Sequence, residues 1–188
     1  GVGALFISKK NGVKLEPLFS GGGQERGLRS GTLSTPLCVG FGEALFLAKS
    51  NMTNEAKVLK SSRDQMWEYF RDNIDGVSLN GCLERRLPGN LNFSFEGIDG
   101  ASLIAALPDL AFSTGSACTS ASEEVSHVLQ AIGLSNKQAE SSIRIGIGRF
   151  TTNEEMQVAC DRIASEVSKL RKKPTHFIAI SAIIFPIA

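Results

Sequence analysis

The chain is predicted to be an α/β protein on three observations. Short strand-like runs at residues 77–79, 91–95, 111–113 and 142–147 alternate with helical stretches at about 100–107 and 123–132. A long helical periodicity precedes them from Pro36. A helix opened by Thr152, with Glu155 three residues on, follows them. The length, 188 residues, suits one domain, or one small domain with a piece of another.

The first elements read as follows. Residues 1–8 place Val2, Leu5, Phe6 and Ile7 behind glycines, which predicts a strand. Asn11-Gly12 gives a turn, and residues 13–19 a short partner strand, so a hairpin is expected. From Pro36, the residues Phe41, Leu45, Ala48, Met52, Ala56, Leu59, Met66 and Phe70 recur near helical spacing and form a core face. Asn51 to Asn54 is expected to kink or split this helix and to mark a domain boundary. Arg63, Asp64, Glu68 and Arg71 read as a solvated face. In the last helix Ala159, Ile163, Val167 and Leu170 make an apolar stripe for packing.

Bulk properties exclude several function classes. With 42% apolar residues, 21% charged and a formal net charge of +1, nothing draws the chain to nucleic acid or acidic lipid. The apolar stretch 177–188 is interrupted by Pro186 and is too short for a membrane span, which needs about 20 residues. Cys38, Cys82, Cys118 and Cys160 show no paired spacing of the zinc or redox kind, and His127 and His176 are too scattered for a metal site. Unpaired cysteines fit a reducing compartment.

Two stretches carry chemistry. SGGGQERGLRSGT, residues 20–32, alternates glycine with Arg26, Arg29 and hydroxyls, which suits a phosphate or carboxylate. It matches neither the Walker A nor the dinucleotide pattern, and a glycine-rich surface loop is the alternative. AFSTGSACTSAS, residues 111–122, sets Cys118 among small residues with a backbone loose enough to carry a thiol. Ser122 is placed to cap a helix starting at Glu123, which favours a thiolate, while Glu123 and Glu124 oppose it. The alternative is a linker with an inert buried cysteine.

Together, SGGGQERGLRSGT, SFEGIDGASLIAALPDLAFSTGSACTSAS and SSIRIGIGRFTT resemble, in order and spacing, the C-terminal half of a pyridoxal-phosphate-dependent cysteine desulfurase of the IscS/Nfs type. The resemblance covers roughly residues 1–172. It implies the small C-terminal domain of a fold-type-I pyridoxal-phosphate enzyme at residues 51–173, attached to the end of the large cofactor-binding domain at 1–50, with 174–188 an apolar tail. The activity implied is transfer of sulfur from L-cysteine to an active-site cysteine as a persulfide, with release of alanine, for iron–sulfur cluster assembly. By motif position, Cys118 would be that cysteine. Arg144, in SSIR, would hold the substrate carboxylate, with a structural ion pair as its alternative. Thr32, in RSGT, would contact the cofactor phosphate bound by the partner subunit, helped by the backbone around Gly31.

The resemblance further implies pyridoxal 5'-phosphate as cofactor, a homodimer, a scaffold protein or other sulfur acceptor as partner, and a cytoplasmic or mitochondrial-matrix location. It places the Schiff-base lysine before Gly1. Lys9, Lys10 and Lys14 lie outside the matching motifs, so the chain reads as a fragment that lacks its cofactor anchor. A selenocysteine lyase or aminotransferase of the same fold, or a catalytically incomplete truncated product, are the other readings.

Overall fold

A computed structural model of the chain describes residues 1–8, 10, 12–114 and 125–172. It divides into two units, Gly1–Asn54 and Glu55–Ala188.

In the first unit the expected hairpin does not form: residues 1–8 and 13–19 have no regular secondary structure. Leu5, Phe6 and Leu18 are 75%, 89% and 91% exposed. A two-stranded ribbon needs a further strand or a helix to cover its apolar face, and no described residue of this unit covers these side chains. The glycine-rich loop instead folds around buried Ser30, whose Oγ lies 3.2 and 3.0 Å from the carbonyl oxygens of Phe19 and Ser20. Gly21, at φ +150°, has no room for a side chain, because a Cβ there would lie 2.9 Å from the Ser30 Cβ. A single 3₁₀ turn, Gln24–Gly27, carries Glu25 and Arg26 in the left-handed region at φ 51° and 60°.

Helix α1, Thr35–Asn73, is one continuous element, not the kinked or split one that Asn51 to Asn54 suggests. Ser50 Oγ and Asn51 Nδ2 donate back along the helix to Phe46 O (2.9 Å) and Leu47 O (2.8 Å). Their side chains thus follow the helical path instead of breaking it. Only the end of the apolar stripe is core: Met66 and Phe70 are buried, whereas Leu45 and Met52 are 54% and 64% exposed. Arg63 is also a correction. It is 2% exposed, not solvated, and its Nε and Nη2 donate to Asp64 Oδ1 at 2.9 and 2.6 Å. Burial alone would raise the Asp64 carboxyl, but the bonds from Lys60 and Arg63 outweigh it and hold the group below its ordinary value.

The second unit is built on four strands: β1 Val77–Leu79, β2 Asn90–Phe95, β3 Ser113–Thr114 and β4 Ser142–Gly146. Their order is β1-β2-β4-β3 and every pairing is antiparallel. Strand β3 starts two residues later and ends one residue later than the 111–113 run suggests, in register with β4. Alternation sorts the side chains. Leu91, Phe93, Phe95 and Ile143 are fully buried and pack with Phe70 of α1 and with Ile163 and Val167 of α5, Asn153–Lys172. Phe70 and Phe93 lie 5.0 Å apart between ring centroids, and Phe93 and Phe95 5.3 Å. Gly89, just before β2, runs so close to β4 that a Cβ would meet the Ile147 carbonyl.

The remaining helices are short and capped. Asp99 caps α2, Gly100–Ala106, accepting from Ser102 N at 2.8 Å. Helix α3, His127–Ala131, starts later than expected, behind Ser126; Ser122 and Glu123 lie outside the described residues. Helix α4, Asn136–Glu140, was not expected; its reciprocal capping box joins Ser135 and Gln138. The box predicted for α5 is present, with Glu155 N on Thr152 Oγ1 at 3.1 Å and Thr152 N on Glu155 Oε2 at 2.8 Å. No helix among the described residues is long and apolar enough to cross a membrane.

Two predictions follow from this packing. Phe70→Ala leaves a cavity at the centre of the aromatic cluster and should cost about 3–5 kcal/mol, read from urea unfolding. The second concerns alkaline pH. Burial, then the Asp161 charge, pushes the Cys160 thiol up from 9.0 to about 11. The 2.6 Å bond to Asp161, with burial, pushes Tyr69 up from 10.0 to about 12. Both groups hold their proton more tightly in the folded chain, so their contribution is complete below the unfolded values. Stability should therefore fall as pH rises from about 9 toward 11 for the thiol and from about 10 toward 12 for the phenol. Cys160→Ala and Tyr69→Phe should each flatten that fall in urea midpoints measured against pH.

Candidate functional site

The face of the sheet turned away from α5 is polar, and the same alternation produces it. Asn92 and Ser94 on β2 stand between the core residues Leu91, Phe93 and Phe95. Arg144 on β4, exposed, pairs across the sheet with Asn92 on one side and Ser113 on the other. Its backbone is thus held from both sides in the middle of the sheet.

A buried hydrogen-bond network lies beside it. Asn80, 5% exposed, donates through Nδ2 to Asn92 Oδ1 at 2.6 Å and to Ser142 Oγ at 2.9 Å, and accepts from Ser94 Oγ at 3.3 Å. Ser142 Oγ donates to Gln138 O at 2.6 Å, which ties α4 to β4. Arg86 closes the loop after β1, donating through Nε to Cys82 O (2.8 Å) and through Nη2 to Asn80 O (2.6 Å). Burial, and then the Arg63 charge, lowers the Arg86 pKa from its ordinary value. Among the described residues no buried side-chain polar atom lacks a partner.

Arg144, Asn80, Asn92, Arg85 and Arg86 line a cavity of about 340 Å³ whose far wall is Val128, Leu129 and Ile132. A larger cavity, about 740 Å³, lies at the other end of the polar face, between Ser78 and Ser94 and the residues Glu96, Asp99, Lys137 and Glu140. Charge decides between them. Among the described residues the larger is lined by three carboxylates and one ammonium, the smaller by three guanidiniums and no acid. The ion pairs among the described residues involve none of Arg85, Arg86 and Arg144. This arrangement is suited to a carboxylate, which arginine receives through two parallel N–H donors.

The structure brings together only part of the predicted set. Arg144 stands at the cavity, and the ion pair offered as its alternative is absent among the described residues. Cys118 lies outside the described residues. Thr32, in the first unit, is exposed, and its hydroxyl takes no part in the bonds that tie its loop. The Gly31 N–H, expected to be open, donates to Gln24 Oε1 at 3.1 Å. The Arg29 guanidinium is likewise used inside the loop, bonded to Ser30 O and stacked 5.2 Å from the Phe19 ring centroid. Asn80, Asn92, Ser94 and Arg86 were missed. For Asn92 and Ser94 the signal was in the NLNFSF alternation of β2, read for its apolar face alone.

The fold and this polar face define an α/β chain of the aminotransferase type. Residues 1–158 match the aminotransferase class-V family model, and the chain belongs to that family. It is 51% identical over 172 residues to the cysteine desulfurase IscS of Aeromonas salmonicida, covering 92% of this chain and 42% of that protein. The IscS of Rickettsia typhi gives the same identity and coverage. The chain thus spans 42% of the length of these relatives. Among solved structures, a NifS-like protein superposes with a TM-score of 0.73 at 32% identity, over 85% of this chain and 41% of that one. A NifS-like protein from Rickettsia africae, TM-score 0.71 at 23% identity over 84% and 41% of the two chains, shares the fold.

The network makes Asn80→Ala costly. It strips Asn92, Ser94 and Ser142 of one shared partner and should destabilise the chain by about 1–3 kcal/mol in urea unfolding, although the lost side chain is polar.

Proposed function

We propose that this chain forms the C-terminal part of a pyridoxal-phosphate-dependent cysteine desulfurase, with 1–50 the end of the large cofactor-binding domain, 51–173 the small domain and 174–188 a tail. The observation that carries the reading is the cavity lined by Arg85, Arg86 and Arg144 on the sheet of a chain half identical to IscS proteins. Arg144 receives the substrate carboxylate as a bidentate pair, and among the described residues no ion pair competes for its guanidinium. Cys118 follows β3, whose Ser113 pairs with Arg144, only a few residues later in the chain, so substrate and acceptor thiol are assigned to neighbouring segments.

In the step assigned to Cys118, its thiolate attacks the sulfur of L-cysteine. The substrate Cβ–S bond breaks with its electron pair left on Cβ, which takes up a proton, so that a persulfide remains on Cys118 and alanine is released. Pyridoxal phosphate, when bound, supplies the electron sink for bond breaking at the amino acid. The open Thr32 hydroxyl fits the role of donor to its phosphate, and the exposed, unpaired setting of Thr32 is what supports that role. The enzyme so assembled is a homodimer of the cytoplasm or mitochondrial matrix that passes sulfur to an iron–sulfur scaffold or another acceptor.

The test uses the full-length protein. Cys118→Ser should abolish persulfide and alanine formation while leaving cofactor absorbance in place; sulfur transfer that persists in this variant overturns the assignment. Arg144→Ala should raise KM for cysteine roughly 10- to 100-fold, the worth of a charge-assisted pair. Comparing alanine release from cysteine and from selenocysteine separates the desulfurase from a lyase of the same fold.

A further inference from the structure

We infer that the arginine-lined cavity is a site for anionic low-molecular-weight disulfides, with Cys82 at its rim as the thiol that exchanges with them. Three independent features point there. First, the cavity sets Arg85, Arg86 and Arg144 around one space with no acid among its described lining residues, and its 340 Å³ falls in the range of small-molecule pockets. Second, Cys82 lines the same cavity and is exposed, while of the other described thiols Cys160 is buried and Cys38 half-buried. Third, Val128, Leu129 and Ile132 offer an apolar wall for the methylenes and sulfurs between a ligand's charges.

The loop that carries Cys82 is fixed, not trailing. Arg86 binds the carbonyls of both Asn80 and Cys82, so it spans the turn and sets the sulfur at the cavity mouth. The backbone N–H of Arg85, its side chain and the N–H of Glu84 are directed at that sulfur and hold the thiol below its ordinary value. A thiolate beside guanidiniums that make no ion pair among the described residues meets an anionic disulfide already concentrated by charge.

The exchange balances without any further reagent. Cys82 loses its proton to solvent, and the thiolate attacks one sulfur of the disulfide. A new S–S bond forms as the old one breaks, and the other half departs with the electron pair and takes up a proton. Cys82 is oxidised to a mixed disulfide and the departing half is reduced to a thiol. The carboxylates of the retained half lie on Arg85 and Arg144. The adduct therefore occupies the space assigned above to substrate, and this consequence alone rests on that assignment of Arg144.

The experiment uses the full chain in a Cys118→Ser background, with glutathione disulfide as the anionic probe and hydroxyethyl disulfide as the neutral one. Adducts are located by intact mass and peptide mapping, and each rate is divided by that of the same probe with free cysteine. The normalised rate at Cys82 should be roughly tenfold higher for the anionic probe at low salt and should fall toward the neutral value at high salt. Arg85→Gln, an exposed substitution, should remove most of the preference, while its rate with the neutral probe reports any change in the thiolate itself. Equal normalised rates, or an adduct on Cys38 ahead of Cys82, overturn the proposal. A chain without Cys118 cannot carry the persulfide, so failure here leaves the desulfurase reading standing, and an active Cys118 says nothing about Cys82.

Discussion

Everything at the candidate site depends on one geometric constraint, the twofold alternation of side chains along β2 and β4. Along NLNFSF the leucine and two phenylalanines go to the helices, which leaves Asn92 and Ser94 on the opposite face; along SIRIG the two isoleucines are buried and Arg144 is not. A register slip of one residue would bury the guanidinium and expose the aromatic cluster. Burial of Phe93, Phe95 and Ile143 against Phe70 and Val167 therefore fixes which way Arg144 points. The hydrophobic core and the polar face are one specification.

The polar side of that specification is costly unless each group is matched. Asn80 satisfies three neighbours on two strands at once, and Arg86 satisfies two carbonyls of the turn that follows β1. Such groups stabilise little in net terms, but leaving one unpaired is expensive, so they act mainly as selectors of a single arrangement. The same logic accounts for Arg63 in α1, which is tolerated in the interior because Asp64 lies beside it.

Sequence periodicity carried most of the second unit and little of the first. Strands β1, β2 and β4, helix α2 and the reciprocal cap of α5 could be read because local chemistry and burial agree there: Thr152 and Glu155 bond each other wherever the helix packs. The hairpin in residues 1–19 was misread because apolar alternation states only that a face could be buried, while Phe6 and Leu18 find nothing in their unit to bury it. Asn51 suggested a break, yet its amide serves the helix it sits in. Arg63 was read with Asp64 as a solvated face because charge alone does not show that the helix turns this position into the core. Of the site, Arg144 was legible through SSIR, but the residues that orient its surroundings, Asn80 and Arg86, lie in a turn whose bonds are non-local and leave no periodic trace.

The placement of Arg144 has a chemical consequence of its own. A guanidinium that recognises a carboxylate must be positioned to within about half an ångström and some ten to twenty degrees, and loops hold such tolerances poorly. Here the residue lies in mid-sheet, bracketed by Asn92 and Ser113, over the buried core. The thiol on the same cavity is held differently, in a turn whose shape depends on the two bonds of Arg86. The guanidinium of Arg144 is thus carried by a strand paired on both sides, and the thiol of Cys82 by a turn that a single guanidinium organises.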